Sequence, residues 1–247
     1  MTILETLLGD LSTGWRVTDV YVGANWVLSL AQHHTGMQRA GVAAAPHSIA
    51  PDARFQIGHY ALDVPAEGVA QGLRSPDVTA AAVGLATLNA VHQPDERLLT
   101  TDDAADWLAA QCAGRRAAIF GRFPFIDDEI RPRASQVWVF EQRPEGSELD
   151  STAMKTVLPQ ADVVAITGSS VINHTIDTIL PQVSSASTVV LLGPSTPLSE
   201  KLFESGIDAM FGVRVENVQQ VVNEVVAGNG FQKMSGLKRV ALFNTQS

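Results

Sequence analysis

Hydrophobic and polar positions along this chain follow two rhythms, and the rhythm changes near residue 97. Val17 to Val22 alternates with period two, with Val17, Asp19 and Tyr21 set against Thr18, Val20 and Val22. After the turn Gly23-Ala24-Asn25, Trp26 to His33 forms a second run, and Met37 to Ala43 a third. Short alternating runs joined by tight turns predict an antiparallel meander. Ala44 to Pro65 carries three prolines, His47, Gly58 and His59 and shows no period. Loops of that length in a compact chain are usually functional, so this one is expected to border a cleft and to order on ligand binding. Helices are predicted at Glu67–Leu73 and Pro76–His92, the second with Ala80, Ala81, Ala82, Ala86 and Ala90, small enough to lie close on a sheet. Strands followed by helices predict an α+β unit.

The polar, proline-bearing stretch Gln93–Thr101 is the expected boundary between units of residues 1–96 and 97–247. Thr101-Asp102-Asp103 is capping chemistry for a helix running to Cys112. Beyond it, short β-branched runs at Ala117–Phe120, Val137–Phe140, Val163–Ile166, Val189–Leu192 and Ala209–Phe211 alternate with helical segments, the last at Val215–Val226. That alternation predicts a doubly wound parallel sheet, α/β in class. Val163 to Ile166 is apolar on both faces, as a central strand should be. Thr167-Gly168-Ser169-Ser170 breaks it with turn and cap residues, and Val171, Ile172, Ile176, Ile179 and Leu180 then fall at helical spacing. Ser169 and Ser170 read equally well as helix caps and as ligand contacts.

In such a sheet ligands bind beyond the carboxyl ends of the strands. The residues at those ends are Gly121-Arg122-Phe123-Pro124, Glu141, Thr167-Gly168-Ser169-Ser170, Gly193-Pro194-Ser195-Thr196 and Gly212. Four glycine turns on one edge predict a crevice lined by backbone, with N–H groups free for an anion or polar group. On a helix, Asn173 would share a face with Ser170 and add a directional contact. Glu141 follows Gly121 at about the 20-residue spacing of a ribose-binding acid. The intervening turn is not GxGxxG, however: Phe123 and Pro124 stand where glycines would admit a pyrophosphate. A nucleoside held as in Rossmann-like methyltransferases stays open for Glu141, as does a solvated strand end facing Arg143.

The formal charge of −9 argues against nucleic acid as the main partner. The first ten residues read as the start of an amphipathic helix rather than a signal peptide. No apolar run approaches the roughly 20 residues of a membrane span, and a single cysteine excludes an intramolecular disulfide and any CxxC metal site. A cytoplasmic protein with a small-molecule partner is expected, and a homodimer is left open.

Gly121-Arg122-Phe123-Pro124, Glu141, Leu158-Pro159-Gln160-Ala161-Asp162, Thr167-Gly168 with Asn173 and Thr175, and Gly193-Pro194-Ser195-Thr196-Pro197-Leu198 together resemble the putative heavy-metal chelation family, a domain family of unknown biochemistry. Val22-Gly23-Ala24-Asn25-Trp26 resembles the start of the enolase-N-terminal-like domain that commonly precedes it. The resemblance covers nearly the whole chain. It implies an enolase-N-terminal-like α+β domain followed by a Rossmann-like domain, with the ligand in the cleft between them. Asn25, Trp26, Gly121, Phe123, Pro124, Glu141, Thr167, Gly168, Ser169, Ser170, Asn173, Gly193, Pro194, Ser195 and Thr196 become the expected ligand-binding residues; the cofactor is left open, a chelated heavy metal being one candidate. The family pattern has Asn-Gly-Thr where this chain has Asn173-His174-Thr175.

A protein-built transition-metal site needs clustered Cys, His or carboxylate ligands. His33, His34, His47, His59, His92 and His174 form no HxxxH or HExxH, and His33 and His34, as neighbours on a strand, should face opposite sides. Asp127-Asp128-Glu129 suits a hard cation or, more simply, the first turn of a helix. These features favour a metal already wrapped in an organic chelator. Trp26, Phe123 and Phe125 suit either a planar ligand or the core. No GxSxG elbow or P-loop is present, and Cys112 on an apolar helix reads as an inert thiol. Two readings follow: binding of a siderophore-, pterin- or tetrapyrrole-like chelator, or an enzyme of condensation, hydrolysis or methyl transfer on a related metabolite.

Overall fold

The structure, a computed structural model, describes residues 1–47 and 49–245. Helix α1 (Ile3–Gly9) is capped by Thr2, whose hydroxyl accepts from the Glu5 N–H. Strands β1 (Trp15–Val22), β2 (Trp26–His33) and β3 (Gln38–Ala44) form the predicted antiparallel meander. The predicted loop Ala44–Pro65 needs correcting. Its last eight residues are strand β4 (Gly58–Pro65), paired with β1, so the sheet order is β3-β2-β1-β4. β4 is an edge strand with most of its side chains in solvent, so it lacks the apolar alternation by which strands are read. Ser48, inside the same stretch, lies outside the described residues.

Helices α2 (Ala66–Ala70) and α3 (Val78–Val91) follow, the latter capped by the Asp77 carboxylate. The small residues of α3 do bring it hard against the sheet. A Cβ on Gly41 of β3 would sit 2.2 Å from the Ala90 nitrogen, and the Ser29 and Thr87 hydroxyls bond at 2.9 Å in the contact.

The second sheet contains β5 (Leu99–Thr100), β6 (Arg116–Phe120), β7 (Gln136–Phe140), β8 (Val163–Thr167), β9 (Thr188–Leu192), β10 (Ala209–Val215) and β11 (Leu237–Phe243). Interspersed are α4 (Ala104–Cys112), α5 (Met154–Val157), α6 (Ile176–Ile179) and α7 (Val218–Val226). The order is β5-β11-β10-β9-β8-β6-β7, parallel from β7 through β10. The α/β class with a doubly wound parallel sheet is therefore borne out. The unpredicted β11 runs antiparallel to β10. It belongs to no βαβ unit, and Lys238 and Arg239 interrupt its apolar pattern.

Burial explains the central strands. Ala117, Ile119, Val163, Ala165, Val190 and Leu192 pack on one face of the sheet, with Leu108 and Cys112 of α4. Ala118, Phe120, Val164, Ile166, Val189 and Leu191 pack on the other. That second face shares one continuous core with Leu7, Val20, Leu85 and Leu88. Each strand is thus apolar on both sides, as buried parallel strands are.

Two elements depart from expectation. The predicted helix over Val171–Leu180 is one tight turn at Gly168–Val171, an irregular stretch, and the four residues of α6. Gly212, predicted in a terminal turn, lies inside β10, and its bare Cα lets the Thr196 carbonyl and Leu198 side chain approach, at 3.1 and 3.2 Å from where a Cβ would be.

Candidate functional site

Strand order reverses at β6, whose neighbours β7 and β8 lie on either side of it. At such a switch point the loops leave in opposite directions and open a crevice at the carboxyl ends. Phe120 pairs with both Phe140 and Ile166, and Leu192 with both Thr167 and Phe211, so the strands end along one edge. Gly121 turns there with φ +110, and a Cβ on it would lie 3.2 Å from the Thr167 Cβ. The two turns flanking the switch are in contact because Gly121 has no side chain.

The Thr167 turn does not work as expected. Thr167, rather than Ser169 or Ser170, is the cap, its hydroxyl accepting from the Ser169 N–H at 3.4 Å and bonding the Ser169 hydroxyl at 3.0 Å. Thr167 and Ser169 are half-buried at this edge of the sheet, as are Gly121, Gly193 and Pro194. Phe123 is half-buried too and stacks on Phe125 at 5.5 Å, with Pro124 exposed beside it. Glu141 is half-buried at the end of β7, its N–H donating to the Leu149 carbonyl. The Glu141 charge acts on the Arg122 guanidinium. Arg122 forks onto the Glu148 carboxylate at 2.7 and 2.8 Å and donates to the Arg143 carbonyl.

Other expected ligand contacts are buried in the fold. Gly168 is buried, and Ser170, Ser195 and Thr196 are only 2–3% exposed. The Ser195 hydroxyl accepts from the Ala44 N–H at 2.8 Å, which makes it a fastener between β3 and the β9 turn. Asn89 of α3 donates to the Val42 carbonyl at 3.0 Å and the Ser195 carbonyl at 3.4 Å. Ser170 Oγ, Thr196 Oγ1 and Asn89 Oδ1 are buried with no protein partner. Buried polar atoms rarely stay unpaired without reason. The sequence reading passed over Asn89, although an amide inside an alanine-rich helix was the available signal.

Asn25 and Trp26 are placed elsewhere. The Asn25 amide donates to the Gly228 carbonyl at 2.7 Å and the Trp26 indole N–H to the Asn229 carbonyl at 3.0 Å. Trp26 packs with Val221, Val225 and Met234, so both residues fasten the first sheet to the loop after α7. Asn173 is exposed, and its carbonyl oxygen accepts from the Thr175 N–H and hydroxyl, which closes a local turn. Because no regular helix runs here, Asn173 does not share a helical face with Ser170. His174 sits at φ +60, a left-handed conformation suited to the glycine of the family pattern. Its Nε2 lies 2.7 Å from the Leu73 carbonyl.

A cleft of about 530 Å³ opens between β3, the segment 93–96 and the end of β10, with Gln38, Arg39, Gln93, Glu96, Arg214 and Glu216 among its walls. None of the expected site residues lines it.

Heavy-metal chemistry asks for soft or borderline donors. Burial pushes the Cys112 thiol up to about 11, which removes thiolate from the donor set. Among the described residues, no three His, Cys, Asp or Glu side chains are grouped to hold an ion. Asp127 is engaged by Arg131 at 2.7 Å on a single π-helical turn, Ile126–Ile130. One expectation is overturned: His33 and His34 do not diverge. His33 ends β2 and His34 has already entered the turn, so the rings meet with centroids 4.0 Å apart.

No helix among the described residues is long and apolar enough to cross a membrane. Residues 5–92 and 103–244 match two family profiles, each described as "Putative heavy-metal chelation". An uncharacterised protein of Methanocaldococcus jannaschii is 24% identical over 152 residues, covering 59% of each chain. The chain thus spans about three fifths of that relative's length. Crystal structures of proteins of unknown function from Desulfitobacterium hafniense and Pyrococcus horikoshii superpose with TM-scores of 0.80 and 0.82 at 20% identity. They cover 98% of this chain, and 97% and 99% of their own. Sequence and fold together place the chain in the putative heavy-metal chelation family.

Proposed function

We propose that this protein binds a small metal-chelating molecule at the carboxyl edge of the parallel sheet, over the Gly121 and Thr167 turns. The observation that carries the reading is the pairing of those two turns at the strand-order reversal, where open α/β sheets hold their ligands. The chemistry of the crevice supports it. The Thr167 and Ser169 hydroxyls offer directional contacts, the glycine turns bring backbone close, and the Phe123 ring supplies an apolar wall for a planar chelator. Beneath the turns, the unpartnered oxygens of Ser170, Thr196 and Asn89 favour a bound polar group or ordered water. The donor set favours a metal arriving with an organic chelator, because among the described residues the imidazoles and carboxylates fall short of a complete tetrahedral set. Siderophore-, pterin- and tetrapyrrole-like molecules share the required planar or polydentate character.

Native mass spectrometry of the full chain, isolated from cell extract without denaturation, tests the reading. A non-covalent adduct containing a metal and an organic moiety is expected at one per chain. It should be lost in Ser169→Ala and Phe123→Ala variants that melt as cooperatively as the parent. An adduct that survives both substitutions places the site elsewhere, the Arg39–Arg214 cleft being the next to probe.

A further inference from the structure

The hairpin joining β2 to β3 places two imidazoles where a strand would separate them. A Cβ on Gly14 would lie 2.9 Å from His33 Nε2 and 2.8 Å from His34 Nδ1. One ring nitrogen of each histidine therefore lies against the bare Cα of Gly14. Gly14 has φ +83, and its carbonyl accepts from the His34 N–H at 3.1 Å, so the approach is fixed by backbone on both sides.

The His33 ring is held from two more directions. Its Nδ1 is 2.9 Å from the Thr35 hydroxyl, and its face meets Trp15 at 5.0 Å. The Thr35 hydroxyl can accept from Nδ1–H, and in that tautomer the Nε2 lone pair is free, as in histidines that ligate metals. His34 is exposed, so an ion has a route in from solvent. Neither His33 nor His34 has a carboxylate partner among the described ion pairs, unlike His59, which bonds Asp19 at 2.8 Å.

We infer that His33 Nε2 and His34 Nδ1 form a two-nitrogen site for a borderline first-row ion, Cu²⁺ above Ni²⁺ or Zn²⁺, with the remaining coordination positions open. Imidazole suits these ions, and at equal geometry their affinities rise toward Cu²⁺. Imidazole nitrogens bind such ions at about 2.0–2.1 Å, and the two rings, with centroids 4.0 Å apart, are near enough to turn toward one ion. This site lies on the antiparallel sheet, apart from the crevice of the parallel sheet, and does not depend on the chelator reading.

The test uses the full chain stripped of metal and titrated with Cu²⁺ alone, by calorimetry and by electron paramagnetic resonance. One ion per chain is expected, with hyperfine structure from two nitrogens. His34→Ala, a surface change, should weaken binding at least about tenfold and leave one nitrogen coupled. Thr35→Val should weaken it less while keeping both nitrogens. His59→Ala should bind as the parent does. Because His33 packs on Trp15, His33→Gln is paired with a thermal melt, and His34→Ala carries the decision. Binding unchanged in His34→Ala, or a parent spectrum without nitrogen coupling, overturns the inference.

Discussion

A methyl group on Gly168 would lie 2.4 Å from the backbone nitrogen of Thr196. The turns after β8 and β9 therefore interlock, and the obstacle is backbone that cannot rotate aside. Gly168→Ala should force the turns apart and cost about 1–3 kcal/mol, as overpacking does. Urea unfolding of the variant checks this; a midpoint equal to the parent's would mean the turns are looser than described.

His174 stands where the resemblance leads one to expect glycine. Its left-handed backbone costs a non-glycine residue roughly 1–2 kcal/mol, while the bond to the Leu73 carbonyl contributes roughly 0.5–1.5 kcal/mol. His174→Gly exchanges one for the other and should be nearly neutral. His174→Ala keeps the strain and loses the bond, so it should melt lowest of the three. A His174→Ala variant as stable as the parent would show that the bond contributes nothing.

Much of the fold was legible because buried strands leave clear apolar runs. Val163–Ile166 and Val189–Leu192 are apolar on both faces, and the placing of their turns on one edge followed from the strand–helix alternation. β4 and β11 were missed because edge and antiparallel strands with exposed or charged positions carry a weaker period. The strand-end positions of Gly121, Thr167 and Gly193 were legible. The fastening bonds of Ser195, Asn25 and Trp26 were not, because polar residues beside glycine turns look alike whether they fasten two sheets or face a ligand. Only the long-range pairings, such as Ser195 with Ala44, separate the two cases.

The edge beside the crevice carries an acid-sensitive clamp. The Arg122 guanidinium, helped by the Glu145 N–H, holds the Glu148 carboxyl down at about 2, against an ordinary 4.5. A depressed carboxyl stabilises the fold above its unfolded value and loses that contribution as pH falls through the folded one. Stability should therefore decline between about pH 4.5 and pH 2, and Glu148→Gln should flatten that part of the profile. Asp162, held low by Arg116, adds a loss in the same direction. Parallel acid profiles for parent and Glu148→Gln would contradict the assignment.

Cys112 packs among Leu108, Ala109 and Ile130 with no exposure, and burial keeps its thiol protonated. At pH 8 it should resist a thiol-specific disulfide reagent in the native protein and react fully once denatured. Rapid native labelling would mean that α4 opens readily or that the thiol is less buried than described.

The central claim is that the Gly121–Thr167 crevice holds a small chelator. It is tested most directly by native mass spectrometry of the parent beside Ser169→Ala and His34→Ala, all isolated from the same cells under non-denaturing conditions. The account predicts a metal-bearing organic adduct on the parent and on His34→Ala, and its absence from a folded Ser169→Ala. An adduct retained by Ser169→Ala, or a parent that carries none, would contradict it.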